Sequence, residues 1–206
     1  MINIPMIKKL FKLALIEPVE RMELFKIVRT LAEDSVIVEV GSFMGGSAAI
    51  MSIANPLVQI HCFDPFESDT NYKHTDTYKN QYNVFFELLG RQDARSIENV
   101  GYILKDYSNI HLHKRHSPHN ITWTQPIDLY FEDGVHSDPE LTMNLNFWTP
   151  MIKSGGYLVL HDHRPWLELT NPFRHVDIEQ AYDRLLSQGY KKVSKVRSLT
   201  ILQKSR

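Results

Sequence analysis

Cysteine is almost missing from this chain: Cys62 is the single one in 206 residues, so no internal disulfide staples the fold. It stands in the apolar run Ile60-His61-Cys62-Phe63, which suits a core thiol better than a reactive one. An excess of one charge is missing as well. With 23 basic and 24 acidic side chains the net charge is −1, which leaves no global basic field for nucleic acid. Nowhere do the roughly 20 consecutive apolar residues of a membrane span occur. The early stretch M-I-K-K-L-F-K-L-A-L-I, residues 6–16, is interrupted by Lys12, and no small-residue cleavage site follows it. It reads as an amphipathic helix that packs on the same domain or acts as its lid, with a membrane surface or a partner as the alternative. Repeats, low-complexity tracts and a domain linker are also lacking. What remains reads as one domain over residues 1–206, large enough to bury a core unaided, and cytoplasmic by default.

What is present is concentrated in residues 35–47, S-V-I-V-E-V-G-S-F-M-G-G-S. Val36, Ile37 and Val38, with Val40 beyond Glu39, form a short, β-branched, non-alternating run, the pattern of a strand buried on both faces of a parallel sheet. Gly41, Ser42, Gly45, Gly46 and Ser47 then lead into the helical A-A-I-M-S-I-A of residues 48–54. Strand, glycine turn and helix make the first half of a nucleotide-binding βαβ unit. Glycines accept positive φ and close approach of a ligand, and the helix start offers unpaired N–H groups. The spacing is neither G-x-G-x-x-G nor G-x-x-x-x-G-K-[ST]. No lysine serves the turn, and Glu39 would repel a pyrophosphate but suits a ligand bearing ammonium or sulfonium charge. A plainer reading is a strand–helix turn with incidental glycines.

A second strand, V-Q-I-H-C-F-D over residues 58–64, ends on an acid about twenty residues past the glycine turn, where a carboxylate accepts both hydroxyls of a ribose. Pro65 after Asp64 also allows a simple Asp-Pro turn.

Around this unit, residues 1–34 read as N-terminal helices. The second begins near Pro18 and presents Met22, Phe25, Val28 and Leu31 as its apolar face. The stretch between Phe66 and Pro126 exceeds what one crossover needs, and residues 66–109 read as a lid or insertion region. Within them, 68–77 is polar and reads as a mobile loop, Tyr78, Tyr82, Phe85 and Leu89 recur at helical spacing up to Gly90, and a weaker helix covers 93–105. The aromatic stripe is most simply core, yet a segment following a strand end is where a substrate lid belongs.

Residues 110–116 alternate as a strand, and histidines at 111, 113, 116 and 119 invite a zinc reading. Against it, 111 and 113 share one strand face and no cysteine joins them. Residues 127–137, I-D-L-Y-F-E-D-G-V-H-S, form another buried strand with chemistry at its end. A helix carrying Leu141, Leu145 and Trp148 follows, then a K-S-G-G turn at 153–156 and a strand at 157–160 capped by His161, Asp162 and His163. Residues 164–174 look like a loop at the catalytic edge, 176–187 are helical up to Gly189, and 190–196 with 199–204 form a hairpin.

As a set, the acid-and-glycine turn, D-G-x-H-S at 133–137, W-x-P at 148–150, G-G at 155–156 and H-D at 161–162 resemble the class I S-adenosylmethionine-dependent methyltransferases. The likeness is to the small branch related to macrocin-type O-methyltransferases and cephalosporin hydroxylase-like proteins. It runs from about residue 20 to 162 and is weakest over 66–109, where this chain is longer than the usual pattern. The resemblance implies an α/β fold: a Rossmann-like, doubly wound, seven-stranded sheet with an antiparallel last strand and helices on both faces.

It further implies S-adenosyl-L-methionine as cofactor, held by Glu39, Gly41, Ser42, Gly45, Ser47, Asp64, Ser117 and Asp133, with Ser117 near the adenine. The implied reaction is O-methylation of a hydroxylated small molecule or sugar, with no nucleic-acid partner and a homo-oligomer left open. Methyl transfer to a hydroxyl needs alignment and removal of a proton. The candidates are Asp133, His136 and His161, with Asp162 and His163 beside them.

A divalent cation, magnesium or manganese, is a further expectation at Asp133, His161 and Asp162, because consecutive strands through a right-handed crossover bring their ends together. The relatives carry acids where this chain has His161, which turns preference toward manganese, iron or zinc, or toward a histidine base. Two other classes stay open: a hydride-transferring Rossmann enzyme, which the glycine spacing and Glu39 fit poorly, and a catalytically silent S-adenosylmethionine-binding or assembly protein.

Overall fold

The computed structural model describes residues 4–67, 76–163 and 172–205. Strands β1 (Val36–Val40), β2 (Gln59–Asp64), β3 (Ile110–Lys114), β4 (Ile127–Glu132), β5 (Ile152–Leu160), β6 (Tyr190–Val196) and β7 (Leu199–Lys204) form one sheet in the order β3-β2-β1-β4-β5-β7-β6. The first five are parallel, and β7 runs antiparallel to both β5 and β6. The chain builds outward from β1 to β3 and then returns to the other side of β1 with β4. That reversal opens a crevice at the carboxyl ends of β1 and β4, where ligands bind in doubly wound sheets.

The helices are α1 (Ile4–Leu13), α2 (Pro18–Arg29), α3 (Gly46–Ala54), α4 (Asp76–Leu89), α5 (Ile97–Ile103), α6 (Glu140–Trp148) and α7 (Pro172–Ser187). Strand alternation divides the core. Ile37, Leu129, Phe131, Val159 and Ile201 pack under Leu24 and Val28 of α2 and Ile50 and Met51 of α3. Val38, Val40, Tyr130, Leu158 and Leu202 face Leu141, Leu145 and Trp148 of α6 and Ile178, Ala181 and Leu185 of α7. The short β-branched strands are therefore buried on both sides, as their non-alternating composition requires. Each fully buried Leu or Val on these faces contributes about 1.5–3 kcal/mol relative to exposure.

The N-terminal stretch is a packing helix. Leu10 and Leu13 of α1 are buried with Met44, Ala49 and Phe85. The link after α1 passes so close to α3 that a Cβ on Gly46 would lie 2.1 Å from the Ala14 nitrogen; only glycine permits that approach.

Three expectations need correction. The buried side of α2 is Glu20, Leu24 and Val28, while Met22 is 55% exposed, because burial follows the i, i+4 rows of the helix rather than a strict period of three. Residues 153–156 are not a turn before β5 but lie inside it, with a register irregularity against β4 between Ile127 and Leu129. Helix α5 is shorter than 93–105, opening at Ser96, whose side chain caps the Asn99 N–H. Of the loops expected at 68–77 and 164–174, residues 68–75 and 164–171 lie outside the described residues, and the remainder is helical, opening α4 and α7. Among the described residues, no helix is long and apolar enough to cross a membrane.

Candidate active site

The glycine turn is organised from beneath. Glu39 is fully buried. Its carboxyl accepts the Ser42 hydroxyl at 2.6 Å and the Ser47 hydroxyl in a shorter contact. Burial pushes the Glu39 carboxyl up to about 7, the repulsion of Asp133 adds to this, and the hydroxyls of Ser42 and Ser47 pull the other way. Above them, Gly41 adopts φ +91, and a Cβ there would sit 2.1 Å from the Asp133 carbonyl oxygen. The turn thus lies directly on the end of β4. Gly45, at φ 78, caps α3. Gly41 is therefore partly open while Gly45 is buried, and Glu39, Ser42 and Ser47 are turned onto one another below the turn.

On the next strand, Asp64 has its side chain 8% exposed and pairs with Arg95, also 8% exposed, at 2.7 Å. Its two oxygens also accept the Phe66 N–H at 2.6 Å and the Phe43 N–H at 2.9 Å. Beside this carboxylate a cavity of about 460 Å³ is lined by Pro65, Glu67, Lys114, Arg115, His116, His119 and Asn120. Ser117 turns its hydroxyl onto the Trp148 indole N–H, 2.8 Å away. The four histidines of the zinc reading do not gather. His111 and His113 stack on His61, with His61 Nδ1 at 3.1 Å from His113 Nε2, while His116 and His119 line the cavity.

At the ends of β4 and β5 an acid–imidazole network closes the site. His161, only 3% exposed, sets Nδ1 2.7 Å from Asp133 Oδ1 and Nε2 3.5 Å from Glu20 Oε2. Burial alone would lower the His161 pKa, but Asp133, Glu20 and Asp162 together raise it well above its ordinary value. Glu20 comes from the first turn of α2, where it caps the Glu17 N–H, and also accepts the Ser198 N–H and hydroxyl, both at 2.6 Å. Burial would raise the Glu20 carboxyl, yet His161, Ser198 and Glu17 bring it down to about 2. On the solvent side, His136 lies with Nδ1 3.5 Å from Asp162 Oδ2 and Nε2 4.0 Å from Asp133 Oδ1.

This geometry does not fit the expected cation at Asp133, His161 and Asp162. A ligating imidazole needs a free lone pair, and both His161 nitrogens face carboxylates, which favour its protonated form. His161 is also only 3% exposed, whereas His136 keeps 17% of its side chain open. Among the described residues no group of three histidine, cysteine or acid side chains is arranged to hold a metal ion.

A family model described as a methyltransferase domain matches residues 38–163, which is more than half of the chain and includes every strand end described above except those of the final hairpin. The chain belongs to this methyltransferase family. No curated protein matches it in sequence.

Solved structures share its fold. A candidate O-methyltransferase of Klebsiella pneumoniae superposes with a TM-score of 0.68 at 14% identity, covering 100% of this chain and 92% of that one. An O-methyltransferase from Bacillus cereus in complex with S-adenosylhomocysteine gives 0.59 at 12% identity, with 93% and 82% covered. The N-methyltransferase NodS from Bradyrhizobium japonicum, also bound to S-adenosylhomocysteine, gives 0.58 at 12% identity, with 91% and 87% covered. One architecture thus serves both oxygen and nitrogen acceptors, so the fold does not name the acceptor.

Within the methyltransferase frame, the structure gathers Asp133, His136, His161 and Asp162 at one place and sets Gly41 against them. His163 does not join: it is buried between the Thr200 hydroxyl at 2.8 Å and Glu179 at 2.9 Å. Two participants escaped the sequence reading. Glu20 carries only a helix-start signal, a Glu at N3 behind Pro18, and nothing local announces that it reaches β5. Arg95 sits in a polar link whose only signature is the Ser96 cap.

Proposed function

We propose that this methyltransferase moves the methyl group of S-adenosylmethionine onto a hydroxyl oxygen of a small molecule, a hydroxylated metabolite or sugar. The observation that carries the reading is His136 standing between Asp133 and Asp162 at the strand ends. A neutral imidazole there takes the acceptor's proton, and the two carboxylates favour the imidazolium that results. A neutral amine attacks without first losing a proton, so a positioned base speaks for oxygen.

When bound, S-adenosylmethionine supplies a sulfonium methyl for in-line displacement. The backbone of Gly41 lines its place, with Gly45 behind it and Glu39, Ser42 and Ser47 holding that turn in shape. Asp64 serves the ribose hydroxyls, and the cavity lined by Pro65, His116 and His119 receives the adenine. Asp133, fixed by the His161 cation behind it, keeps its carboxylate toward His136. Alignment of donor and acceptor in this crevice supplies the larger share of the acceleration. The base adds about 10²–10⁴-fold.

Calorimetry with S-adenosylhomocysteine and with NAD, followed by methyl transfer to a panel of hydroxylated metabolites, tests the assignment. The protein should bind the first ligand and ignore the second. His136→Ala should lose about 10²–10⁴-fold in turnover while keeping its affinity for S-adenosylhomocysteine. Undiminished turnover in His136→Ala would remove His136 as the base; binding of NAD instead would remove the methyl-transfer reading.

A further inference from the structure

The carboxylate assigned to the ribose is already engaged. Asp64 Oδ1 accepts the Phe66 N–H and Arg95 Nη1, at 2.6 and 2.7 Å, and Oδ2 accepts the Phe43 N–H at 2.9 Å. A carboxylate offers about four acceptor positions, so one remains where a ribose diol needs two. Two of the three donors are backbone N–H groups fixed by the turns on either side, with φ +49 at Phe43 and +48 at Phe66. The one removable donor is the guanidinium.

Arg95 is also tied to both loops that flank the carboxylate. Nη1 reaches the Phe43 carbonyl at 3.3 Å, Nη2 reaches the Glu67 carbonyl at 2.5 Å, and the guanidinium carbon lies 5.2 Å from the Phe43 ring centre. Its own segment, between α4 and α5, is held locally by Asn99 Nδ2 on the Ala94 carbonyl at 2.8 Å and by Arg91 on Asn99 Oδ1 at 2.9 Å. Arg95 therefore bridges the glycine turn, the end of β2 and the α4–α5 link across the place the ribose takes.

We infer that Arg95 is a built-in competitor for the ribose: the cofactor binds by displacing its guanidinium from Asp64, which couples cofactor entry to release of the α4–α5 link. This rests on the assignment of Asp64 to the ribose. A site that is open only part of the time binds with an affinity reduced by the open fraction. Removing the competitor raises apparent affinity without adding a contact. The aromatic and carbonyl partners of Arg95 become free at the same moment, so the link carrying it loses these anchors together with Asp64 when the cofactor arrives.

The test is calorimetry of S-adenosylhomocysteine with the full chain and its Arg95→Ala, Arg95→Lys and Asp64→Asn variants, each checked for a cooperative thermal transition. Arg95→Ala should bind about tenfold tighter, Arg95→Lys should fall between it and the parent, and Asp64→Asn should bind about tenfold weaker. A parent-like or weaker Arg95→Ala, with Asp64→Asn still weakened, overturns the competition and makes Arg95 a positioning residue for Asp64. A parent-like Asp64→Asn overturns the ribose assignment itself. Should Arg95→Ala fail to fold, the parent protein still decides: trypsin cleavage after Arg95 should accelerate with S-adenosylhomocysteine, and unchanged or slower cleavage there contradicts the displacement.

Discussion

Glu39 and Glu20 are both fully buried, and they carry opposite charge preferences. Glu39 meets neutral hydroxyls from Ser42 and Ser47, and burial carries its carboxyl up to about 7. Glu20 is equally covered from solvent but less deeply set in the protein, and His161, the Ser198 N–H and hydroxyl and the Glu17 N–H bring it down to about 2. Glu132 at the end of β4 repeats the first case: burial, opposed by hydrogen bonds from Tyr130 and Gly134, raises it to about 8. Depth and the donors around a buried acid together decide whether it is charged. In this molecule the near-neutral acid shapes the cofactor turn, and the charged one fixes the cation behind Asp133.

The largest effect that sharpens this contrast is expected from Glu20→Ala. It leaves the His161 cation with a carboxylate on one side only, and breaking a buried pair in this way removes about 3–5 kcal/mol. Urea unfolding measures it, and a loss under about 1 kcal/mol would mean that the pair is not ionised.

The next effect concerns pH. The folded Glu39 value of about 7 lies above the ordinary 4.5, so its contribution to stability is present at low pH and is lost as pH rises from 4.5 through 7. The drop is on the order of 3 kcal/mol. Glu39→Gln should flatten that slope. Glu20 runs the other way: its folded value of about 2 lies below 4.5, so its contribution is present above 4.5 and is lost as pH falls from there toward 2. Equal slopes in the parent and Glu39→Gln would show Glu39 to be charged.

A smaller effect, about 1–3 kcal/mol, is expected from Gly41→Ala, where a positive φ and the Asp133 carbonyl both oppose a Cβ. Because the turn must shift, affinity for S-adenosylhomocysteine should fall at least tenfold. An alanine variant with unchanged affinity would detach the turn from the ligand. Smallest of all, Met22→Lys on the outward face of α2 should change stability by no more than about 0.5 kcal/mol. A larger loss would restore Met22 to a packed face that the structure denies it.

The sheet was legible because its signal is local. Val36–Val40 and Ile127–Glu132 announce buried strands by composition, and the glycines after β1 require the turn that Gly41 makes. Cys62 follows the same logic, lying in the core with burial raising its thiol well above the ordinary value. The strand-end residues Asp133, His136, His161 and Asp162 could be gathered from chain order and crossover handedness alone.

What could not be read is which way each polar side chain turns. Glu39, Ser42 and Ser47 face one another because α3 packs over them. Asp64 is occupied by an arginine 31 positions along the chain. His161 became a cation because Glu20, 141 positions earlier (161 − 20), arrives from a helix whose sequence shows only a cap. Such pairings depend on tertiary approach, and no spacing rule contains them.

The central claim is that His161 is a standing cation between two carboxylates, leaving His136 to handle the proton. Nitrogen-15 spectra of the histidine-labelled protein at mildly alkaline pH test it most directly. The account predicts that both ring nitrogens of His161 carry protons there, and that added magnesium, manganese or zinc leaves its resonances in place. A neutral His161 with one bare nitrogen, or resonances that move on binding a metal ion, would contradict it.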